Sequence, residues 1–157
     1  MWITIGGLLV SILALWRAGR LRVLDLRTTL RNDAAELRLA LENLAATIPA
    51  AVQSRERLAA ATGQAGAFQQ FRLEAETDRA TVETLRARLS GIEPIPLLAS
   101  YDTVEAKVVT AHEVRLRVQQ LREKYTAAAA GDAQEREYLR AAAEARARAA
   151  QAPEAWG

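Results

Sequence analysis

The chain has 157 residues, with 21 lysines and arginines against 19 aspartates and glutamates, so its net charge is +2. It contains no cysteine, which excludes disulfides, thiolate catalysis and cysteine-bound metals. Aromatic residues make up 5% of the sequence, few for a deep globular core. This composition favours long alanine-rich helices that pack along narrow apolar seams.

The first stretch, residues 1–18, predicts a membrane anchor. It has no charged side chain before Arg17. A helix of this length reaches roughly 24–27 Å, a short but feasible span of a hydrocarbon core about 30 Å thick. Trp2 and Trp16 bracket the run, as tryptophans do at the two membrane interfaces.

Four further residues give the anchor its detail. Arg17 and Arg20 can extend their charged ends to the lipid headgroups. Gly7 and Ser11 lie four residues apart, a spacing that lets two membrane helices approach closely, although both residues are also ordinary in such helices. A cleaved signal peptide and a buried soluble helix are the alternatives to a retained anchor.

The charges on either side of the anchor predict its orientation. Basic residues near a membrane end are retained on the cytoplasmic side, and five arginines follow the apolar run within the first 31 residues. We therefore expect a single-pass protein of the inner (plasma) membrane, with its N-terminus outside and its C-terminal body in the cytoplasm. The same arginines would contact anionic lipid.

A long amphipathic helix is predicted over 21–62. Its apolar residues recur every seven positions with a second set between them, which indicates a packing seam. Arg27 and Arg55 interrupt the seam at its ends, and Pro49 predicts either a kink in one helix or a break between two. The residues of this first seam are Leu30, Leu37, Leu41, Leu44 and Ile48.

A second helix is predicted over 67–90, after a turn at Gly63 and Gly66 and before a C-cap at Gly91. A third is predicted over 102–130, where Asp102 begins a capping box. The residues of this second seam are Val104, Val108, Val114, Val118 and Leu121.

The last part of the chain allows two interpretations. Gly131 can end the third helix, with Asp132 and Glu135 capping a separate alanine- and arginine-rich helical tail over 132–157 that frays at its end. The alanines before Gly131 also allow one uninterrupted helix.

These elements predict an all-α protein. A single N-terminal transmembrane helix over 1–18 precedes a long helical hairpin or coiled-coil bundle over 19–131, and the tail follows. The seams must be buried within the chain or against a second copy. We expect intrachain packing, with homo-oligomerisation or a protein partner on the remaining helix faces.

The sequence predicts no catalytic, cofactor or metal site. His112 is the only histidine, and a zinc helix would need a second one where Leu116 stands. The acidic residues between 74 and 83 alternate with arginines as on a solvated helix face, and Asp78 interrupts the apolar stripe of its helix. No small-molecule substrate is evident, and nucleic acid is not expected as a partner.

The predicted function is therefore a non-catalytic, membrane-anchored cytoplasmic coiled-coil scaffold or adaptor that assembles protein partners at the membrane. Two alternatives remain open. One is a phage-type inner-membrane lysis protein of the spanin kind with its coiled coil in the periplasm. The other is an accessory subunit of a membrane complex.

Overall fold

The protein is described by a computed structural model that covers the backbone of 2–93 and 99–151 and the side chains of 23–93 and 99–150. Over these residues the chain forms no strand and three α-helices: α1 (Trp2–Thr62), α2 (Ala65–Ile92) and α3 (Tyr101–Gln151). The all-α prediction is thus confirmed for the described part of the chain.

Where side chains are described, no helix has a stretch both long enough and apolar enough to cross a membrane. The anchor predicted over 1–18 lies outside those side chains. The six residues assigned to it are outside them as well: Trp2, Gly7, Ser11, Trp16, Arg17 and Arg20. The backbone of this segment is helical from Trp2 onward and continues directly into the rest of α1.

α1 runs through Pro49 as one helix of 61 residues. A proline inside a helix costs about 3 kcal/mol, because it removes one backbone hydrogen bond and crowds a carbonyl. Leu44, Ile48 and Ala51 flank the proline and are only 3%, 0% and 6% exposed. Burial on both sides of Pro49 offsets the local cost, so one long helix forms.

The turn predicted at Gly63 is present. Gly63 has φ 73°, the left-handed conformation that glycine adopts without strain. The amide of Gln64 donates a hydrogen bond of 3.2 Å to the carbonyl of Ala59, which is the six-residue closure of a Schellman motif. α2 begins at Ala65, so the turn is tighter than predicted.

The predicted C-cap at Gly91 is wrong, because α2 includes Gly91 and ends at Ile92. The helix is two residues longer at this end than predicted, and its last side chain, Ile92, is 2% exposed. The ammonium of Lys107 donates a hydrogen bond of 2.7 Å to the Ile92 carbonyl. A cation from α3 thus satisfies the helix end that the sequence assigned to glycine.

The predicted cap of α3 is also displaced. The helix begins at Tyr101, one residue before Asp102. The hydroxyl of Ser100 accepts a hydrogen bond of 3.3 Å from the amide of Thr103, as an N-cap serine does.

α3 continues through Gly131 to Gln151, so the uninterrupted helix is the alternative observed. The separate tail with Asp132 as its cap is therefore not formed. Asp132 lies inside the helix, is 2% exposed and forms an ion pair with Arg55 of α1. This buried tertiary contact replaces the local cap.

The three helices divide into two compact units. Unit 1 comprises Met1–Glu42 and Glu83–Val118, and unit 2 comprises Asn43–Val82 and Gln119–Gly157. Each unit takes a segment from all three helices and has its own buried apolar residues. In unit 1 these are Leu30, Ala34, Leu37, Leu41, Leu85, Leu89, Ile92, Val104, Ala111, Val114 and Val118. In unit 2 they are Leu44, Ile48, Ala51, Leu58, Ala59, Ala75, Val82, Leu121 and Tyr125.

Candidate functional site

The seam residues lie inside the two units. All five of the first seam are buried: Leu30, Leu37, Leu41, Leu44 and Ile48. In the second seam Val108 is half-buried and the others are buried: Val104, Val114, Val118 and Leu121. These side chains therefore form the chain's own cores rather than its outer surface.

A group of charged and polar side chains in unit 2 consists of Asp78, Glu74, Lys124 and Tyr125, here called the Asp78 cluster. Asp78 is 7% exposed, so its predicted place on a solvated face is wrong. Its Oδ2 accepts hydrogen bonds from the Lys124 ammonium at 2.8 Å and from the Tyr125 hydroxyl at 3.0 Å. Glu74 is 3.1 Å from the same ammonium.

The contacts in the cluster raise the pKa values of both donors, Lys124 and Tyr125. Burial raises the pKa of Tyr125, and its hydrogen bond to Asp78 raises it further. Burial alone would lower the pKa of Lys124, but the hydrogen bonds and negative charges of Asp78 and Glu74 outweigh burial and raise it. At neutral pH the tyrosine is therefore neutral and the lysine charged, and the Asp78 carboxylate accepts from both.

A second polar contact of unit 2 joins α1 to α3. Arg55 Nε is 2.8 Å from Asp132 Oδ1, and the guanidinium lies over the Phe71 ring at 5.2 Å from its centroid. Within the described residues neither of these two atoms has a well-aligned hydrogen bond, so the contact is an ion pair held by charge and distance. Phe71 in turn packs edge-on against Tyr125, with the ring centroids 6.2 Å apart.

Together these contacts fix α1, α2 and α3 to one another within unit 2. Asp78 has both donors on adjacent residues of α3, so a shift of either helix by one residue would break at least one bond. Buried polar groups of this kind specify one arrangement of helices rather than add much net stability. The Asp78 cluster therefore holds the helices in one arrangement, and the Asp78 carboxylate already accepts hydrogen bonds from Lys124 and Tyr125.

Unit 1 contains a shallow groove between α1 and α2. Its lining residues are Arg38, Leu41, Glu42, Arg86, Leu89 and Ser90. Arg38 pairs with Glu93, and Arg86 pairs with Glu83 at 2.6 Å. Both guanidinium groups are therefore engaged by acidic partners on the same unit.

The described residues include no group of three or more histidine, aspartate or glutamate side chains arranged to hold a metal ion. His112 is exposed on α3. Large apolar side chains also lie exposed on outer helix faces. The most exposed are Leu24, Leu39, Leu73, Val109, Leu116 and Tyr138, each about half exposed or more.

The sequence did contain a signal for the Asp78 cluster. Asp78 stands at a core position of α2, between Ala75 and Val82, where an acid needs a buried cation or donor. The chain has only two lysines, and both make specific contacts: Lys124 with Asp78, and Lys107 with the end of α2. The sequence alone did not show that Lys124, rather than Lys107, contacts Asp78; the tertiary structure was needed for that assignment.

Comparison with known proteins yields no relative: this chain matches no family model, no curated protein and no solved structure. The functional argument therefore rests on the residues and contacts described above.

Proposed function

We propose that the protein is a membrane-anchored scaffold without catalytic activity of its own, which assembles protein partners through the outer faces of its helices. Residues 1–18 would form the single transmembrane helix, and the helical body would lie in the cytoplasm. In this proposal the partner is a protein and the lipid contact serves attachment.

The observation that carries the proposal is the continuity of α1. The uncharged opening run and the first core residues belong to one helix, Trp2–Thr62, with no loop between them. Leu30 is thirteen positions after Arg17, which corresponds to about 20 Å of helix. A helix of this kind would hold unit 1 at a fixed distance from the membrane surface.

The distribution of apolar side chains supports a role in partner binding. The seam residues pack within the units. In contrast, the side chains of Leu39, Val109 and Leu116 on unit 1 are 60%, 54% and 49% exposed. Exposed apolar side chains on otherwise polar helices suit the docking of another helix.

Attachment and orientation are tested with the full-length chain. We expect it to stay in the membrane pellet after carbonate washing, whereas a variant lacking residues 1–18 should be released. Alkaline phosphatase is active only in the periplasm, so a fusion of this enzyme to the C-terminus should be inactive if the body lies in the cytoplasm. An active fusion would overturn the orientation and favour the spanin-like alternative, and release of the full-length chain would overturn the anchor.

The scaffold role is tested by purifying the full-length protein from membranes in mild detergent. A stoichiometric partner is expected, and its recovery should fall when Val109 and Leu116 are both changed to serine. Changing Leu73 on α2 to serine is the control, because this residue is as exposed but belongs to unit 2. Recovery of the chain without any second protein species would refute the role in assembling other proteins.

A further inference from the structure

We infer that the outward face of α1 in unit 1 binds the same face of a second copy of this chain, with the two α1 helices parallel. The inference rests on the proposed function, because two copies anchored at the same end in one membrane present their α1 helices in the same direction. The first partner of the scaffold is then a second copy of the same chain.

The contact surface consists of Thr28, Asn32, Ala35 and Leu39, here called the outer α1 face. These residues are spaced four, three and four apart, and all are exposed. Leu39 is 60% exposed, although it is nine residues from the buried Leu30 on the same helix. Nine residues turn an α-helix by about 900°, which places Leu39 opposite the core side.

The order of the spacing assigns each residue a position in a coiled coil. Asn32 and Leu39 fall at a positions, and Thr28 and Ala35 fall at d positions. Asparagine at a single a position pairs with its own copy in parallel dimers and fixes the register. The small side chains of Thr28 and Ala35 allow the two helices to approach closely.

The flanking charges distinguish parallel from antiparallel pairing. Arg31 lies just before an a position and Glu36 just after a d position, five residues further on. In a parallel pair Arg31 of each copy meets Glu36 of the other, whereas an antiparallel pair brings like charges together. Glu36 is 78% exposed, and its contact with Arg115 is long for an ion pair at 3.9 Å, so its carboxylate can still reach a second copy.

The contact is short. Glu42 occupies the next d position and would bring two carboxylates together, so the contact ends at Leu39 and covers about 17 Å of helix. Attachment to one membrane would raise the effective concentration of the two copies and so favour a contact of this size. In the other direction Asp25 occupies the preceding a position, so an acidic residue bounds the contact at each end. Beyond Asp25 the same spacing reaches Ser11 and Gly7, the two residues predicted to let anchor helices approach.

Cysteine cross-linking tests the inference directly, because the chain has no cysteine of its own. Asn32→Cys and Leu39→Cys are oxidised separately in the full-length chain in native membranes. Residues at paired a positions lie within disulfide reach. Both variants should form covalent dimers severalfold more efficiently than the control Leu73→Cys, whose leucine is 65% exposed on α2.

Charge reversal tests the parallel orientation. In the Leu39→Cys background, Glu36→Arg should lower the dimer yield about threefold, since it replaces two attractive pairs by repulsive ones. Adding Arg31→Glu should restore the yield. Equal cross-linking at all three cysteine positions, or no rescue by the second reversal, would overturn the inference.

The same membrane samples are washed with carbonate, so that the inference and the anchor are judged separately. If the chain stays in the membrane without specific cross-links, the inference fails and the anchor stands. If the chain is washed off but the specific cross-links persist, the dimer stands and the anchor fails. Loss of both refutes both.

Discussion

Replacement of Asp78 by alanine tests the role of the polar cluster in unit 2. Asp78 is 7% exposed and accepts one hydrogen bond from Tyr125, which is 0% exposed, and one from Lys124. The substitution leaves the tyrosine hydroxyl buried without its acceptor. It leaves the lysine with Glu74, at 3.1 Å.

The two contacts differ in their expected cost. Loss of a buried hydrogen bond to a charged group costs about 1.5–3 kcal/mol. The Lys124 side chain is 37% exposed, so solvent screening limits the loss of its ion pair to about 0–1 kcal/mol. We expect Asp78→Ala to lower the free energy of unfolding by about 2–4 kcal/mol. Glu74→Ala, at a site 46% exposed, should cost less than about 1 kcal/mol.

The assay is a urea titration of the full-length chain in detergent, in which circular dichroism measures the loss of helix. A double-mutant cycle with Tyr125→Phe isolates the buried bond, because Asp78→Ala should cost about 1.5–3 kcal/mol less when the hydroxyl is already absent. Equal costs for Asp78→Ala and Glu74→Ala would refute the argument, since burial would then make no difference. So would strict additivity with Tyr125→Phe.

Three further predictions concern Tyr125, two glycines and Arg55. The pKa of Tyr125 is raised from its usual 10.0, so the stability given by its neutral form is complete below pH 10 and is lost as pH rises through the folded-state value. The free energy of unfolding, measured as a function of pH, should therefore decline above about pH 10, and the decline should be smaller in Tyr125→Phe. Gly131→Ala should raise stability by about 0.5–1 kcal/mol, because Gly131 is helical with open space around an added Cβ. Gly63→Ala has the same space but a φ of 73° and should lower stability by about 1 kcal/mol; thermal unfolding giving both changes the same sign would contradict the backbone argument. Arg55→Met leaves a buried carboxylate uncompensated and should cost about 3 kcal/mol in urea unfolding, against less than about 1 kcal/mol for the exposed Arg38→Met; similar costs would show that burial of the ion pair is unimportant.

Much of the helical organisation was predictable from local pattern. The seven-residue spacing from Leu30 to Ile48 placed the core side of α1, and Gly63 marked the turn. These features depend on helix period and on glycine conformation, which act over a few residues.

The errors lie where a distant residue replaced a local signal. Lys107 satisfies the end of α2, so Gly91 is not a cap. Arg55 pairs with Asp132, which draws a capping residue into the interior of a helix. Each partner is at least fifteen residues away in the sequence, and local capping rules take no account of such contacts.

The amino-acid sequence by itself determined that this protein is helical, that a turn falls at Gly63 and which side of α1 faces inward, because each of these follows from interactions within a few turns of one helix. Only the tertiary structure decided that α3 continues past Gly131, that Asp78 is buried, and that the described helices separate into two units. The physical reason is that a buried charge is stable only beside a partner, and the fold determines which residue becomes that partner.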